Sequence, residues 1–303
     1  MRVRNSGRVR NGGDRGAGVA RRVLTVLMAA CVVVLVAGCG MFGRGQDGRG
    51  HDGGPPHGGM GSRSAPAGAG LPQSDAPADV DPADLTTEID NEYWPMEPGT
   101  QWVYRETDEK GQELRVVVTV TSETKEIADG STARVVRDTV TRRGEVVEDT
   151  FDWYAQDPDG TIWYLGEDTV EFENGKVTTT EGSFEAGLDG ALAGVIMPAD
   201  PAVGMTYRQE FYRGEAEDNG AVLSLDEQAE VPAGHYDDAL LTKDTSTIEP
   251  DVLEYKLYAP GVGPVLTLGV SGGGGREELV EVGTVSAEVA QAAGTTPLGE
   301  RYE

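Results

Sequence analysis

Cysteine is scarce in this sequence. Two occur in 303 residues, Cys31 and Cys39. Nothing after Cys39 can form a disulfide with a neighbour in the chain, so any fold there must rest on a packed core. Histidine is almost as rare, with only His51, His57 and His235. Nucleophilic catalysis needs a base beside the nucleophile, and a single histidine, His235, lies beyond the N-terminal hundred residues. Its place in Gly234-His235-Tyr236-Asp237 reads as a surface turn, so no catalytic residue is assigned. Basic residues are outnumbered, 25 against 52 acidic, for a net charge of −27. A field of that sign repels nucleic acid and anionic headgroups and attracts cations. Nucleic-acid binding is excluded. Sustained helical periodicity is missing as well, which leaves strands as the main element.

What is present begins with a division of the chain. Seven arginines precede Val23, and the sixteen residues Val23 to Gly38 carry no charge. A basic stretch, an apolar stretch and small residues form a secretory signal. Its last residues, Val36-Ala37-Gly38-Cys39, resemble the lipobox of bacterial lipoproteins. That resemblance implies removal of residues 1 to 38, acylation of Cys39 as the new N-terminus, and attachment to the extracytoplasmic face of the cell membrane. Removing residues 1 to 38, with their seven arginines and Asp14, leaves 18 basic against 51 acidic residues, a net charge of −33. The competing expectation is an uncleaved anchor, because the apolar run approaches the ~20 residues that span a bilayer. Arg21-Arg22 leaves the export route, Sec or twin-arginine, open.

Residues 39 to 91 are rich in Gly, Pro, Ala and Asp and poor in large apolar residues. Such a segment cannot bury enough surface to offset its ordering entropy, so a disordered tether with a reach of roughly 40 Å is expected. His51 and His57 fall in it without a third ligand, and no metal is assigned to them. From Glu92 the composition changes. Gln101–Glu106, Glu113–Glu123, Ser131–Thr141, Val146–Ala155 and Thr161–Leu165 read as strands, with turn signals such as Asp129-Gly130 and Arg143-Gly144 between them. The expected architecture is an all-β antiparallel meander, barrel-like or sandwich.

The layout then recurs. Ile127-Ala128-Asp129-Gly130 matches Val231-Pro232-Ala233-Gly234 at an offset of 104, and Tyr154-Ala155 matches Tyr258-Ala259 at the same offset. Ile162, Leu165 and Gly166 match Val265, Leu268 and Gly269 at 103. Residues 92–195 and 196–285 are therefore expected to be two copies of a unit of roughly a hundred residues. The link from Gly182 to Gly204 holds the apolar run Ala193-Gly194-Val195-Ile196-Met197, read as a connection pinned under an edge of the core. Residues 286–303 form a tail, expected to fray rather than keep a helix over Ala287–Ala293.

Two phrases carry a second resemblance. Pro98-Gly99-Thr100-Gln101-Trp102-Val103-Tyr104 and Tyr258-Ala259-Pro260-Gly261-Val262-Gly263-Pro264-Val265 resemble phrases of an uncharacterised family of bacterial lipoproteins and secreted β proteins. It implies a sheet that closes on these segments, and no reaction.

Three further sets of residues bear on chemistry. Glu148, Asp149 and Asp152 flank Phe151 and Trp153, a pattern that would suit a sugar groove, although with so many acids adjacency alone is uninformative. Asp157-Pro158-Asp159-Gly160-Thr161, with Asp168 beyond it, begins like a calcium loop but has its glycine at the wrong position, so a hairpin turn is expected. The aromatic residues, including Trp102, Trp163, Tyr164 and Tyr207, are core, with a minority free to line a cavity. These sets point to a non-enzymatic binding or structural lipoprotein with no cofactor. It would meet the membrane through Cys39 and an envelope polymer or protein through its β surface. The alternative is a carrier of an acyl chain or other apolar ligand between the two units. Ligand-binding residues are unknown at this stage.

Overall fold

The structure is a computed structural model that describes residues 70–302 apart from 109 and 274. Cys39, the signal segment, His51, His57 and residues 40–69 lie outside the described residues. Fourteen strands form one antiparallel sheet. In chain order they are β1 (Thr100–Thr107), β2 (Glu113–Glu126), β3 (Thr132–Arg142), β4 (Glu145–Gln156), β5 (Ile162–Glu173), β6 (Lys176–Thr179), β7 (Phe184–Glu185), β8 (Gly194–Met197), β9 (Thr206–Arg208), β10 (Asp218–Val231), β11 (Gly234–Ser246), β12 (Leu253–Ala259), β13 (Gly263–Ser271) and β14 (Arg276–Thr284). An α-helix, α1 (Ala287–Thr295), follows. Among the described residues no helix is long and apolar enough to cross a membrane.

The five strands expected between residues 101 and 165 are present as β1 to β5. The sheet runs β6-β5-β4-β3-β2-β1-β14-β13-β12-β11-β10-β9, so each run of hairpins lies side by side and the two runs meet where β1 pairs with β14. The recurring phrases fall at corresponding points of the runs. Residues 127–130 turn between β2 and β3 and 231–234 between β10 and β11, while Tyr154 and Tyr258 lie near the ends of β4 and β12.

The strand order does not return on itself, so the barrel expectation gives way to an open sheet. The sheet nevertheless curls strongly. Trp94 lies 5.8 Å from the ring of Tyr154 on β4 and 5.8 Å from that of Tyr258 on β12, strands far apart in the order. The free edge of β5 is covered by β6, β7 and β8. Beyond β8 the two ends of the sheet touch. Leu192 bridges to Phe211, and Arg208 donates to the Ala193 carbonyl. A Cβ on Gly194 would fall 1.9 Å from the Gln209 carbonyl oxygen, so this approach requires glycine. The run 193–197 is thus a buried edge strand, as its apolar composition anticipated.

Two expectations are corrected at the ends of the domain. The tether was expected to reach residue 91, but the chain is already docked at Leu71. Leu71, Val80 and Leu85 pack on the core, and Ile89 is buried within it. Arg208 donates to the carbonyls of Ser74 and Ala76 at 2.7 and 2.6 Å. Four apolar residues spread over twenty positions do not register as a pattern, and the arginine that holds them lies more than 130 residues away. The tail likewise does not fray. Ser286 caps α1 by accepting from the Val289 N–H; Ala290 and Ala293 are buried against β2 and β3.

The tail is held by Arg137, which is fully buried. Its Nε donates to Asp149 Oδ1 at 3.0 Å and Nη2 to Oδ2 at 2.5 Å. Its remaining donors reach the carbonyls of Ala293, Thr296, Pro297 and Glu300. Asp149 also accepts from the Gly299 N–H and the Thr139 hydroxyl. Every polar group of the pair is satisfied, the condition under which a buried ion pair can be tolerated.

Candidate functional site

Strand alternation builds an interior with two levels. On β1, Trp102, Tyr104 and Glu106 point inward in succession. β12 presents Tyr258, Lys256 and Glu254, and β11 presents Leu240, Thr242 and Asp244. β4 presents Tyr154, Asp152, Thr150 and Glu148. The ladders keep like with like. Glu106 pairs with Glu277 on β14, Lys256 with Thr242 and Thr267, Asp244 with Glu254, and Asp152 with Glu167 on β5. One level is therefore apolar and aromatic, and the next is acidic.

The aromatic level is filled by its own rings. Tyr154 and Tyr164 stack with centroids 4.9 Å apart, and Phe184 packs edge-on against Tyr164 at 5.5 Å. Trp102 Nε1 donates to the Val262 carbonyl at 2.7 Å and the Tyr104 hydroxyl to the Pro264 carbonyl at 3.0 Å. These two bonds tie β1 to the second resemblance phrase.

The acidic level is the unusual part. Nine inward carboxylic acids have their pKa raised, in each case first by burial. Glu106 and Glu148 are pushed up to about 8 by burial and by the acids beside them, Glu277 and Glu171 foremost. Asp152 and Asp218 rise to about 7 against the lowering effect of hydroxyl donors. Glu254 and Glu277 also rise to about 7, held back by Lys256. Asp138, Glu167 and Glu210 are raised well above the ordinary range, first by burial and then by the like charges of Asp152, Glu210 and Asp218 respectively. Lys256 is the inward cation of this level. Burial would lower its pKa, but Asp244, 3.0 Å from its Nζ, holds it well above the ordinary range.

Five oxygens of this level have neither solvent nor a hydrogen-bond partner: Glu106 Oε1, Asp138 Oδ1, Glu167 Oε1, Asp218 Oδ1 and Glu254 Oε2. Glu106, Glu167, Asp218 and Glu254 are 3%, 1%, 2% and 4% exposed, and Asp138 is half-buried. An unpaired buried acceptor costs about 1–3 kcal/mol, so the native chain retains several such costs at one place. The level is not sealed, because Asp138, Glu148 and Glu277 keep part of their surface exposed.

The residues singled out from the sequence are distributed as follows. Of the acidic trio on β4, Glu148 and Asp152 face the interior, while Asp149 faces outward to Arg137, and Phe151 and Trp153 share that outer face, so no groove joins them. Trp153 lies under Lys125, whose Nζ is 4.3 Å from the ring centroid. Asp157 accepts from the N–H groups of Asp159 and Thr161 with one oxygen and from Trp163 Nε1 with the other. That is the expected hairpin turn, and Asp168 lies farther along β5 near Lys125. His235 is an exposed turn residue, with Glu230 and Asp237 at 3.0 and 3.2 Å from its ring nitrogens. Gly269-Val270-Ser271-Gly272-Gly273 spells the Gly-x-Ser-x-Gly pattern, which in hydrolases sits on a strand-to-helix turn. Here it leads from β13 towards another strand, and the Ser271 hydroxyl donates to the Asp251 carbonyl at 2.8 Å.

The sequence alone did not single out Glu106, Asp138, Glu167, Glu210, Asp218, Glu254, Lys256 and Glu277. The available signal was an acid two residues from an inward aromatic, as in Trp102-x-Tyr104-x-Glu106. The surrounding excess of acids hid it.

Compared with known proteins, the chain matches no family model and no curated protein. Among solved structures it is similar to one described as "a putative lipoprotein from Parabacteroides distasonis", at a TM-score of 0.35 and 15% identity, over 64% of this chain and 99% of that one. A likeness of that size carries no argument about what this chain does.

Proposed function

We propose that this chain is a lipoprotein anchored through Cys39 to the extracytoplasmic face of the membrane. In this reading it acts by binding a cationic ligand in its acidic interior rather than by catalysis. The anchoring rests on the basic and apolar segments ahead of Val36-Ala37-Gly38-Cys39. The binding rests on one observation, the five buried carboxylate oxygens without partners at the acidic level. Catalysis has little support, since His235 is held in an exposed turn. An acyl carrier has less support than a cation binder, because Trp94 fills the space between Tyr154 and Tyr258 where the two halves meet.

Mass spectrometry of the full chain from membranes tests both parts. Denatured, the chain is expected to have lost residues 1 to 38 and gained acyl groups, and Cys39→Ser to prevent both. An intact unacylated chain would overturn the anchoring. Under native conditions a retained fatty acid or lipid other than the anchor would favour the carrier instead.

A further inference from the structure

Asp152 and Lys256 stand 104 residues apart, the offset that relates Tyr154 to Tyr258 and Glu106 to Glu210. Each points inward two residues before its tyrosine. In the second half of the interior, the ammonium of Lys256 contacts Asp244 at 3.0 Å and its charge reaches Glu254, Glu277, Glu210 and Asp218. In the first half the corresponding position is itself an acid. Asp138, Glu148, Asp152 and Glu167 gather there, and the neighbouring elements add Glu106, Glu171, Glu210 and Glu277. The outward ion pair does not help them, because Arg137 is already shared between Asp149 and the tail carbonyls.

The two contacts of Tyr164 need one proton more than its hydroxyl supplies. The Tyr164 hydroxyl lies 2.7 Å from Asp152 Oδ1 and 2.7 Å from Glu167 Oε2. A phenol has one proton to donate. It can serve one carboxylate, so the second contact holds only if Asp152 or Glu167 carries a proton of its own. Glu167 Oε1 still has no partner. In the empty chain a proton therefore fills the role that Lys256 fills in the other half.

Resting on the reading of a cation-binding interior, we propose that its first half is a site for a primary alkylammonium group, held by Asp152 and Glu167 with Asp138 and Glu148 at the entrance. An ammonium presents three N–H donors on a narrow aliphatic stem, which suits oxygens on separate strands. A bare metal ion suits them less: calcium takes 6–8 oxygens at about 2.3–2.6 Å, and among the described residues no group of three or more acids is arranged to hold a metal. Asp138 and Glu148 keep part of their surface open, and in this proposal the stem enters past them. Binding replaces the shared proton, which leaves Asp152 or Glu167 for solvent as the ammonium enters.

The test is a calorimetric titration of the full chain in detergent with 1,4-diaminobutane, in two buffers of different ionisation enthalpy. Saturable binding with proton release is expected, and tetramethylammonium, which has charge but no N–H donor, should not compete. Asp152→Lys places the ammonium on the chain itself, as Lys256 does. It should weaken diamine binding roughly tenfold or more, the scale of losing a charge-assisted hydrogen bond, and raise Tm without ligand. Asp152→Asn should weaken binding to a similar degree while leaving the fold intact. Equal binding by the parent and both variants overturns the site. If calcium binds and the diamine does not, the alkylammonium assignment falls and the cation-binding interior stands. If no cation binds, both fall.

Discussion

Two buried ionic assemblies lie on opposite faces of strands β3 and β4. Outside, Arg137 and Asp149 are both fully buried, and every donor and acceptor has a partner. Inside, Glu148 and Asp152 belong to a set of acids with Lys256 as the inward cation and with oxygens left unpaired. The same two strands thus carry a closed ion pair on one face and an open set of acids on the other. A closed pair fixes structure, here the docking of the C-terminal tail. An open set costs stability in the empty chain, and such a cost points to a ligand or a proton that offsets it.

The contrast can be broken by removing one partner of the closed pair. Arg137→Ala leaves Asp149 buried without a counter-charge and frees four tail carbonyls, so a loss of about 3–5 kcal/mol is expected in urea denaturation. Proteolysis should then cut the tail first. A loss below ~1 kcal/mol would mean that the pair does not hold the tail.

The open set should respond to pH in the direction opposite to ordinary acid denaturation. Unfolded glutamates titrate near 4.5, whereas folded Glu106 and Glu148 titrate at about 8 and Glu254 and Glu277 at about 7. Between those limits the folded chain binds more protons than the unfolded one, so stability is highest on the acid side and falls as pH rises towards 8. Glu106→Gln keeps the shape and removes one charge. It should raise stability near pH 8 by on the order of 1–3 kcal/mol and change little near pH 5, as read from paired thermal melts. A parent chain whose Tm rises from pH 5 to 8 would contradict the assignment. The smallest effect is expected at His235, whose partners are all exposed. His235→Ala should shift stability by less than ~0.5 kcal/mol and leave diaminobutane binding unchanged.

Much of the sheet could be read in advance because its signals are local. Val116, Val118 and Val120 alternate on β2, and glycine turns such as Asp129-Gly130 mark the hairpins. The docked strap and tail were missed because their anchors, Arg208 and Arg137, are remote in the chain. The acidic level was missed for a related reason. Glu106 and Glu277 become neighbours only when β1 pairs with β14, a contact between residues 171 positions apart.

The sequence by itself determined the basic and apolar N-terminal segments ahead of Cys39, the all-β class and the recurrence at an offset of 104, since composition, period and spacing are properties of the chain. Only the tertiary structure decided which acids face inward together. Side chains alternate across a strand, so a shift of one residue in register sends an acid to solvent or to the interior. The curl that brings β4 and β12 onto Trp94 then sets which of the inward acids meet. That is why Glu148 and Asp152 line the open set, while Asp149, between them in sequence, belongs to the closed pair.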